Sequence, residues 1–219
     1  MNKYKMTTVS NTAYLELIIG PMYSGKTSEL LQIYKQCKFC NISVSIINHT
    51  IDKRYHDTMV SNHDKVMAPC LQANNLSDIW TLDGFINSCN FSDNYAYKLL
   101  KSSDVILINE GQFFPDLYDV VVDMLKHNKK IYICGLDGDF ERKKFGSIID
   151  LIPLCDKVRK LTSLCSKCKN GTPGIFSMRL TEEREQTLVG CDNYIPVCRK
   201  CYENNITKKL TFEQFLNTV

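Results

Sequence analysis

Two groups of residues in this chain have the types and spacing that phosphate and metal chemistry requires. The first is the glycine-rich run GPMYSGKT, which fits the phosphate-binding pattern G-x-x-x-x-G-K-[ST]. In such a loop the backbone N–H groups turn inward onto phosphate oxygens, and the start of the next helix adds a partial positive charge. Lys26 would reach the β- and γ-phosphates of a nucleotide, and the hydroxyl of Thr27 would ligate Mg²⁺. The predicted phosphate-binding residues are Gly20, Pro21, Met22, Tyr23, Ser24, Gly25, Lys26 and Thr27.

The second group consists of two Cys-x-x-Cys pairs, Cys165 with Cys168 and Cys198 with Cys201. Each pair can present two thiolates from one tight turn, and two such pairs complete a tetrahedral zinc site without an open coordination position. The sequence therefore predicts a structural rather than a catalytic Zn²⁺. Four reduced surface thiols are the less favoured alternative.

The strand before the phosphate-binding loop and the helix after it are both visible in the hydrophobic pattern. Residues 15–19 are apolar on both faces, as in a parallel strand that helices cover. After the loop, apolar residues recur at i, i+3, i+4 and i+7, which is one face of a helix. That face includes Cys37, so core packing is favoured over a redox or metal role for the pair Cys37 and Cys40.

The same alternation of strand and helix continues along the chain, and it predicts a P-loop NTPase-like α/β fold in which a parallel sheet is flanked by helices. Further strands are predicted at residues 43–47, 105–108 and 131–134, and further helices at 76–80, 95–101 and 117–125. We expect a flexible tail at residues 1–12, a nucleotide-binding domain at 13–160, a small zinc-stabilised domain at 161–204 and a C-terminal tail at 205–219.

An acidic residue follows the predicted strand at 105–108, which ends at Asn109 and Glu110. Ligands bind at the carboxyl ends of parallel strands, so Glu110 is expected beside the phosphates. The loop at 135–140 belongs to the same edge of the sheet. The polar segment at 51–64 has no clear period, and it is either a solvated connector or a loop that carries an arginine and a carboxylate to the phosphates.

The composition is that of a globular chain, with 219 residues of which 44% are apolar and 23% charged. The net charge of +3 is too small to indicate a nucleic-acid or membrane partner. No apolar run is long enough to cross a bilayer, and residues 1–12 lack the apolar region of a secretory signal. We therefore expect a cytoplasmic protein whose eleven cysteines are core residues or metal ligands rather than disulfides.

Taken in this order, the motifs resemble those of the zinc-containing, P-loop (type II) family of thymidine kinases, over residues 15–202. The loop at 20–27 has the Pro-Met of that family's phosphate-binding loop. The run NEGQFFPD at 109–116 is similar to the family's D-E-[AG]-Q-F-F-P-D, and LDGDFERKKFG at 136–146 is similar to a third signature. The resemblance implies transfer of the ATP γ-phosphate to the 5′-hydroxyl of thymidine, with deoxyuridine as a second candidate acceptor.

The resemblance also implies roles for individual residues. Glu110 aligns with the family's catalytic base, and a carboxylate beside the γ-phosphate can accept the proton of an attacking hydroxyl. Asp52 and Arg54 match the family's Asp-x-Arg-Tyr segment near the phosphates, where Asn109 and Gln112 are also expected. Mg²⁺ would accompany ATP. A homotetramer and feedback inhibition by thymidine triphosphate are further implications.

In this family the thymine base lies under a long lasso that the zinc holds, so the zinc-stabilised region is expected to be such a lasso. The implied substrate-binding residues come from the core and from the lasso; they are Phe113, Leu136, Phe140, Phe145, Ser177, Glu185, Gln186, Thr187, Leu188, Val189 and Tyr194. Core packing is the alternative role of the phenylalanines, and one side chain can serve both.

The sequence departs from the family pattern in places. Asn109 stands where the family usually has Asp, and an amide oxygen can ligate Mg²⁺ or its water without adding negative charge. We expect a weaker metal site, which an Asp at this position would tighten. The segment at 169–176 is longer than usual, and residues 79–95 resemble an insertion without an assigned function.

Two other functions are compatible with a phosphate-binding loop and a zinc site. A P-loop ATPase whose zinc module binds nucleic acid would need a basic, aromatic-rich strip, but acidic residues interrupt the lysines near the zinc loop. A nucleotide sensor without catalysis would not need a base at Glu110.

Overall fold

The computed structural model describes residues 12–52, 58–81, 91–181, 183, 185, 186 and 193–205, apart from the side chains of residues 91–94. Its strands in chain order are β1 (Tyr14–Ile19), β2 (Val44–His49), β3 (Met59–Ser61), β4 (Met67–Pro69), β5 (Leu71–Ala73), β6 (Val105–Ile108), β7 (Lys130–Gly135), β8 (Lys157–Lys160), β9 (Ser163–Leu164), β10 (Pro173–Gly174), β11 (Phe176–Arg179) and β12 (Tyr194–Val197). The helices are α1 (Lys26–Phe39), α2 (Ser77–Trp80), α3 (Phe91–Ser102) and α4 (Leu117–Lys126), with 3₁₀ turns at Gly111–Phe113 and Ile148–Leu154.

The centre of the protein is a sheet with the strand order β5-β2-β6-β7-β1-β8, in which every neighbouring pair is parallel. The predicted α/β fold is therefore confirmed. Strands β6, β7 and β1 are adjacent in this order, so the loops that follow them meet at one edge of the sheet. This adjacency brings three distant segments of the chain together.

Side chains alternate between the two faces of the sheet along each strand, and an apolar cluster covers each face. Leu17 of β1 packs in one apolar cluster with Trp80 and Leu117, from α2 and α4. Ile18 packs in a second cluster with Leu30 of α1. The mainly apolar sequence of β1, which only Glu16 interrupts, follows from this double burial.

The edge strand β8 was not predicted, because its sequence KVRK has no apolar run. It is held by the buried carboxylate of Glu16 on β1, whose Oε1 lies 2.6 Å from Nε of Arg159. The hydroxyl of Tyr14 donates to Oε2 of the same carboxylate at 2.7 Å. Charged side chains on an exposed edge also oppose pairing with another sheet. The short strand β5 and the β3–β4 hairpin lie in segments where the sequence showed no clear period.

Two antiparallel ribbons, β9 with β10 and β11 with β12, follow the main sheet. A small apolar cluster packs between them and includes Met178, Val197 and Tyr202 together with Cys165 and Cys198. Such a small cluster buries little apolar surface, so a metal crosslink would add much of its stability.

Among the residues described above, no helix combines the length and the apolar character that crossing a membrane requires. Of the two predicted tails, only Thr12 and Asn205 belong to the described residues. The central part of the predicted insertion, residues 82–90, also lies outside them.

Candidate active site

One cavity lies over the edge of the sheet where β1, β6 and β7 end. Many of the predicted site residues line it: Met22, Tyr23, Ser24, Gly25, Lys26, Thr27, Asp52, Glu110, Gln112, Phe113, Leu136, Phe140, Phe145, Ser177, Gln186 and Tyr194. The cavity wall does not include Gly20, Pro21, Asn109 or Glu185. Arg54, Thr187, Leu188 and Val189 lie outside the described residues.

The phosphate-binding loop joins β1 to α1, as predicted. Gly25 has φ +85 and stands immediately before the first residue of the helix, Lys26. Gly20 has φ +150, and a Cβ atom there would lie 2.5 Å from the carbonyl oxygen of Leu161. Backbone conformation thus favours glycine at both positions, and the close contact with Leu161 also requires it at Gly20. The ammonium group of Lys26 is buried beside the loop and donates to the carbonyl oxygen of Pro21 at 2.6 Å.

Glu110 follows β6 with the left-handed backbone angles φ 54 and ψ 43. A residue other than glycine in this region stores about 1 kcal/mol or more of strain, and such residues cluster at functional sites. Gln112 fixes the carboxylate, because its Nε2 donates to Oε2 of Glu110 at 2.7 Å. Its Oε1 accepts the backbone N–H of Leu136 at 2.9 Å. One glutamine therefore ties the loops after β6 and β7 together.

Beneath the loop, the hydroxyl of Thr27 donates to Oδ1 of Asn109 at 3.4 Å. Asn109 is fully buried, and Oδ1 also accepts from the thiol of Cys134 at 2.9 Å. Burial raises the pKa of Cys134 to about 12, so the thiol keeps its proton. Mg²⁺ prefers hard oxygen ligands, and the Thr27 hydroxyl, the Asn109 amide oxygen and the nearby Asp52 carboxylate are of this kind. These three residues therefore fit a Mg²⁺ ion.

Aromatic rings form one wall of the cavity. Phe113 and Phe145 pack edge to face with their ring centres 5.5 Å apart. Phe145 is buried, whereas Phe140 is half-buried and lies under the guanidinium of Arg179, 3.7 Å from the ring centre. Phe145 and Phe113 therefore combine a packing role with a position on the cavity surface.

Arg179, which lies against Phe140, is a buried residue that no signal in the sequence identified. Its NH1 group donates to the backbone oxygens of Glu183 and Glu185, at 2.8 and 2.5 Å, and its NH2 group to that of Gln186 at 3.2 Å. Its Nε donates to the hydroxyl of Tyr194 at 3.1 Å. These carbonyls are held by one planar guanidinium, so Arg179 fixes the segment that carries Gln186 into the cavity wall.

Two contacts connect this segment to the rest of the protein. Nε2 of Gln186 donates to Oδ2 of Asp139, a buried carboxylate in the loop after β7, at 2.8 Å. The backbone N–H of Met22, in the phosphate-binding loop, donates to Oγ of Ser177 at 2.9 Å. The sequence did not single out Asp139, although it stands within a quoted motif. Neither Asn62 nor His63, which also line the cavity, had a distinguishing signal.

The Cys165, Cys168, Cys198 and Cys201 sulphurs all lie within 4.8 Å of one another. Sγ of Cys168 is 3.7 Å from that of Cys198 and 3.4 Å from that of Cys201. Tetrahedral zinc with Zn–S bonds of about 2.3 Å places its sulphurs roughly 3.8 Å apart, so this cluster fits Zn²⁺. Cys37, by contrast, is buried against α1's apolar neighbours, while Cys40 is exposed.

A glycine-rich loop between the first strand of a parallel sheet and the helix after it, with a carboxylate on a neighbouring strand end, defines a P-loop nucleotide-binding protein. The sequence model of the family "Thymidine kinase" matches residues 13–202. The chain therefore belongs to the thymidine kinase family, as the resemblance of its motifs predicted.

Individual relatives agree with this assignment. The thymidine kinase of Variola virus is 37% identical over 193 residues, which cover 88% of this chain and 98% of that protein. Thymidine kinase 1 of Dictyostelium discoideum is 36% identical over 204 residues, covering 89% of this chain and 82% of the other. A solved DNA replication initiation factor aligns with a TM-score of 0.42 and 12% identity, over 68% of this chain and 40% of that one, and this likeness is too low to support an argument.

Proposed function

We propose that this protein transfers the γ-phosphate of ATP to the 5′-hydroxyl of thymidine, with deoxyuridine as a second candidate acceptor. The observation that carries the proposal is the position of Glu110, which lines the same cavity as the phosphate-binding loop and the aromatic wall. A carboxylate between a phosphate site and an apolar wall suits a reaction in which a nucleoside hydroxyl attacks a phosphoryl group. Family membership and the names of the relatives support the choice of thymidine.

At the phosphate end, Lys26 and the backbone N–H groups of the loop would bind the β- and γ-phosphates. Mg²⁺, when bound, neutralises charge on the phosphates. Thr27 and the carboxylate of Asp52 would hold it, with Asn109 beneath them. Most of the rate enhancement would come from this positioning and charge, because phosphoryl transfer leaves little covalent chemistry to the protein.

Glu110 would accept the proton of the attacking 5′-hydroxyl. Gln112 donates to Oε2 of this carboxylate and so fixes the orientation in which the carboxylate would meet the substrate. The hydrogen bond that Gln112 accepts from the backbone N–H of Leu136 would keep the carboxylate of Glu110 at a constant distance from the nucleoside pocket. Gln112 is therefore placed to orient the carboxylate of Glu110 rather than to contact the phosphates directly.

At the nucleoside end, the base would lie between the wall of Phe113, Phe140 and Phe145 and the segment that Arg179 holds. Tyr194 and Ser177 also face this part of the cavity. A structural Zn²⁺ on the four cysteines would fix the β11–β12 ribbon, which carries both residues, to the β9–β10 ribbon. The resulting pocket is apolar on one side and rich in backbone groups on the other, which suits a planar base with polar edges.

The remaining partners stay predictions. We expect a homotetramer, inhibition by thymidine triphosphate and a cytoplasmic location, all from the family resemblance or composition. The alternative of an ATPase whose zinc module binds nucleic acid is not favoured by family membership.

A phosphotransfer assay with ATP and a panel of nucleosides tests the proposal, with zinc content measured on the same sample. We expect phosphorylation of thymidine, and a fall in kcat of about 10²- to 10⁴-fold in Glu110→Gln with nucleotide binding retained. Glu141→Gln changes an exposed carboxylate in the neighbouring loop and is the matched control. ATP hydrolysis without nucleoside phosphorylation would overturn the proposed function, and full turnover by Glu110→Gln would overturn the base assignment.

A further inference from the structure

The amide of Asn109 has different kinds of partner at its two ends. The side chain is fully buried at the carboxyl end of β6. Its oxygen accepts from the hydroxyl of Thr27 at 3.4 Å and from the thiol of Cys134 at 2.9 Å. Its nitrogen donates to Oδ1 of Asn48 at 2.8 Å and approaches Oδ2 of Asp52 at 3.5 Å. Donors thus surround the oxygen and acceptors surround the nitrogen.

This arrangement determines which way the amide faces. A thiol in a fully buried position is a proton donor and only a weak acceptor, and Asp52 offers only acceptor oxygens when ionised. Rotating the amide by half a turn would place its N–H₂ group against the Cys134 thiol and the Thr27 hydroxyl. It would also place its oxygen against the carboxylate of Asp52. The contact with the Cys134 thiol would then be weaker and the contact with the Asp52 carboxylate repulsive.

The orientation matters for Thr27, whose hydroxyl is the predicted metal ligand. When the hydroxyl donates its hydrogen to Oδ1 of Asn109, both of its lone pairs remain available to a cation. A reversed amide would instead donate to the hydroxyl oxygen and occupy one lone pair. The metal site therefore depends on an amide that does not itself line the cavity.

We propose that Cys134 and Asn48 are positioning residues for the metal site: together they hold the Asn109 amide so that its oxygen accepts the Thr27 hydroxyl proton. Asp52 supplies the negative charge that a neutral residue 109 lacks. The inference rests on one part of the proposed function, which is that the metal ion binds together with a nucleotide. It explains how a neutral asparagine serves at a strand end where the resembling family usually has a carboxylate.

The test is direct binding of Mn²⁺, which stands in for Mg²⁺ and is counted by electron paramagnetic resonance with a non-hydrolysable ATP analogue present. Cys134→Ala removes the donor to the amide oxygen, and Asn48→Leu removes the acceptor from its nitrogen. We expect each change to raise the Mn²⁺ dissociation constant by about tenfold, as for other residues that orient a metal ligand. Cys134→Ser restores an O–H donor and should restore most of the affinity.

Cys37→Ala is the matched control, because Cys37 is also a buried free thiol but lies on α1 and packs among apolar residues. Cys134→Val, which lacks the donor but fills the space, replaces Cys134→Ala if the smaller residue prevents folding. Unchanged Mn²⁺ affinity in folded variants at both positions would overturn the inference, as would an equal loss in Cys37→Ala.

Thymidine phosphorylation is measured on the same samples to separate this inference from the proposed function. Wild-type protein that phosphorylates thymidine, together with variants that bind Mn²⁺ normally, would overturn only the positioning role. Wild-type protein that binds neither the nucleotide analogue nor Mn²⁺ would overturn both.

Discussion

The two ends of the cavity, which we propose bind the phosphates and the nucleoside, are built in different ways. At the phosphate end, the loops after three adjacent parallel strands converge, and their backbones rest on fully buried residues such as Ile18 and Leu30. At the nucleoside end, Gln186 and its neighbours are exposed, and they are held by Arg179 and by the ribbons around the cysteine cluster. One end is an extension of the main core, and the other depends on a few polar contacts and on the cysteine cluster, where we propose a zinc crosslink.

This difference predicts that nucleotide binding and nucleoside binding can be lost independently of each other. Segments with few buried apolar contacts open locally at a lower free-energy cost than core strands. We therefore expect nucleotide binding to withstand changes that abolish nucleoside binding. The hydrogen bond from Met22 to Ser177 is a direct contact between the two ends, and it limits how independent they can be.

The largest effect is expected from removal of zinc. Cys198→Ser, or chelation, removes one ligand or the ion, so the ribbons lose the crosslink that replaces a larger core. Thymidine binding should be lost in isothermal titration calorimetry, whereas binding of an ATP analogue should stay within about threefold, since no core residue of the phosphate end changes.

Cys155→Ser alters a free cysteine outside the cluster and serves as the control. The comparison of the two ends fails if ATP-analogue binding is lost together with thymidine binding, because the phosphate end would then also depend on the metal.

An intermediate effect is expected at Arg179. Arg179→Met keeps an unbranched side chain of similar reach but removes the donors to the backbone oxygens of residues 183, 185 and 186. Each charged hydrogen bond contributes about 1.5–3 kcal/mol, and the exposed carbonyls regain part of this from water. The KM for thymidine should rise about tenfold or more, and the KM for ATP should change little.

Arg199→Met is the matched control for this steady-state measurement, because Arg199 is exposed just after β12 and does not line the cavity. An equal rise in both KM values for Arg179→Met would mean that this arginine supports the whole site rather than its nucleoside end.

The smallest effect is expected at the contact between the ends. Ser177→Ala removes a single hydrogen bond to the backbone of Met22, which contributes about 0.5–1.5 kcal/mol. Both KM values should rise by a few-fold, and Ser177→Thr, which keeps the hydroxyl, should resemble the wild type. If only the KM for thymidine changes, Ser177 acts as a substrate contact and the two ends are less coupled than this bond indicates.

Much of the fold followed from local patterns, because the strands and helices that were predicted have apolar runs or a helical period. β1, β6 and β7 are of this kind. β8 was missed because a buried glutamate, rather than apolar side chains, holds its charged sequence in place. The β3–β4 hairpin was missed because its short strands are too brief to establish a period.

The residues of the candidate site likewise fall into those that the sequence predicted and those that it did not. The phosphate-binding loop, Glu110 and the cysteine pairs are recognisable because their chemistry needs particular residues at short, regular spacing. Arg179, Asp139, Asn48 and Cys134 gave no such signal. In the sequence, an arginine that is buried against carbonyl oxygens cannot be distinguished from a surface arginine. A thiol that donates to an amide likewise cannot be distinguished from any other core cysteine.

The sequence by itself determined the phosphate-binding motif, the carboxylate at a strand end, the paired cysteines and the family. Only the tertiary structure decided which groups face one another across the site. Asn48 is 61 residues from Asn109, Thr27 is 82 residues from it, and Met22 is 155 residues from Ser177. Contacts at such separations depend on the order of strands in the sheet and on the path of the ribbons around the cysteine cluster. Short-range spacing does not encode either of these.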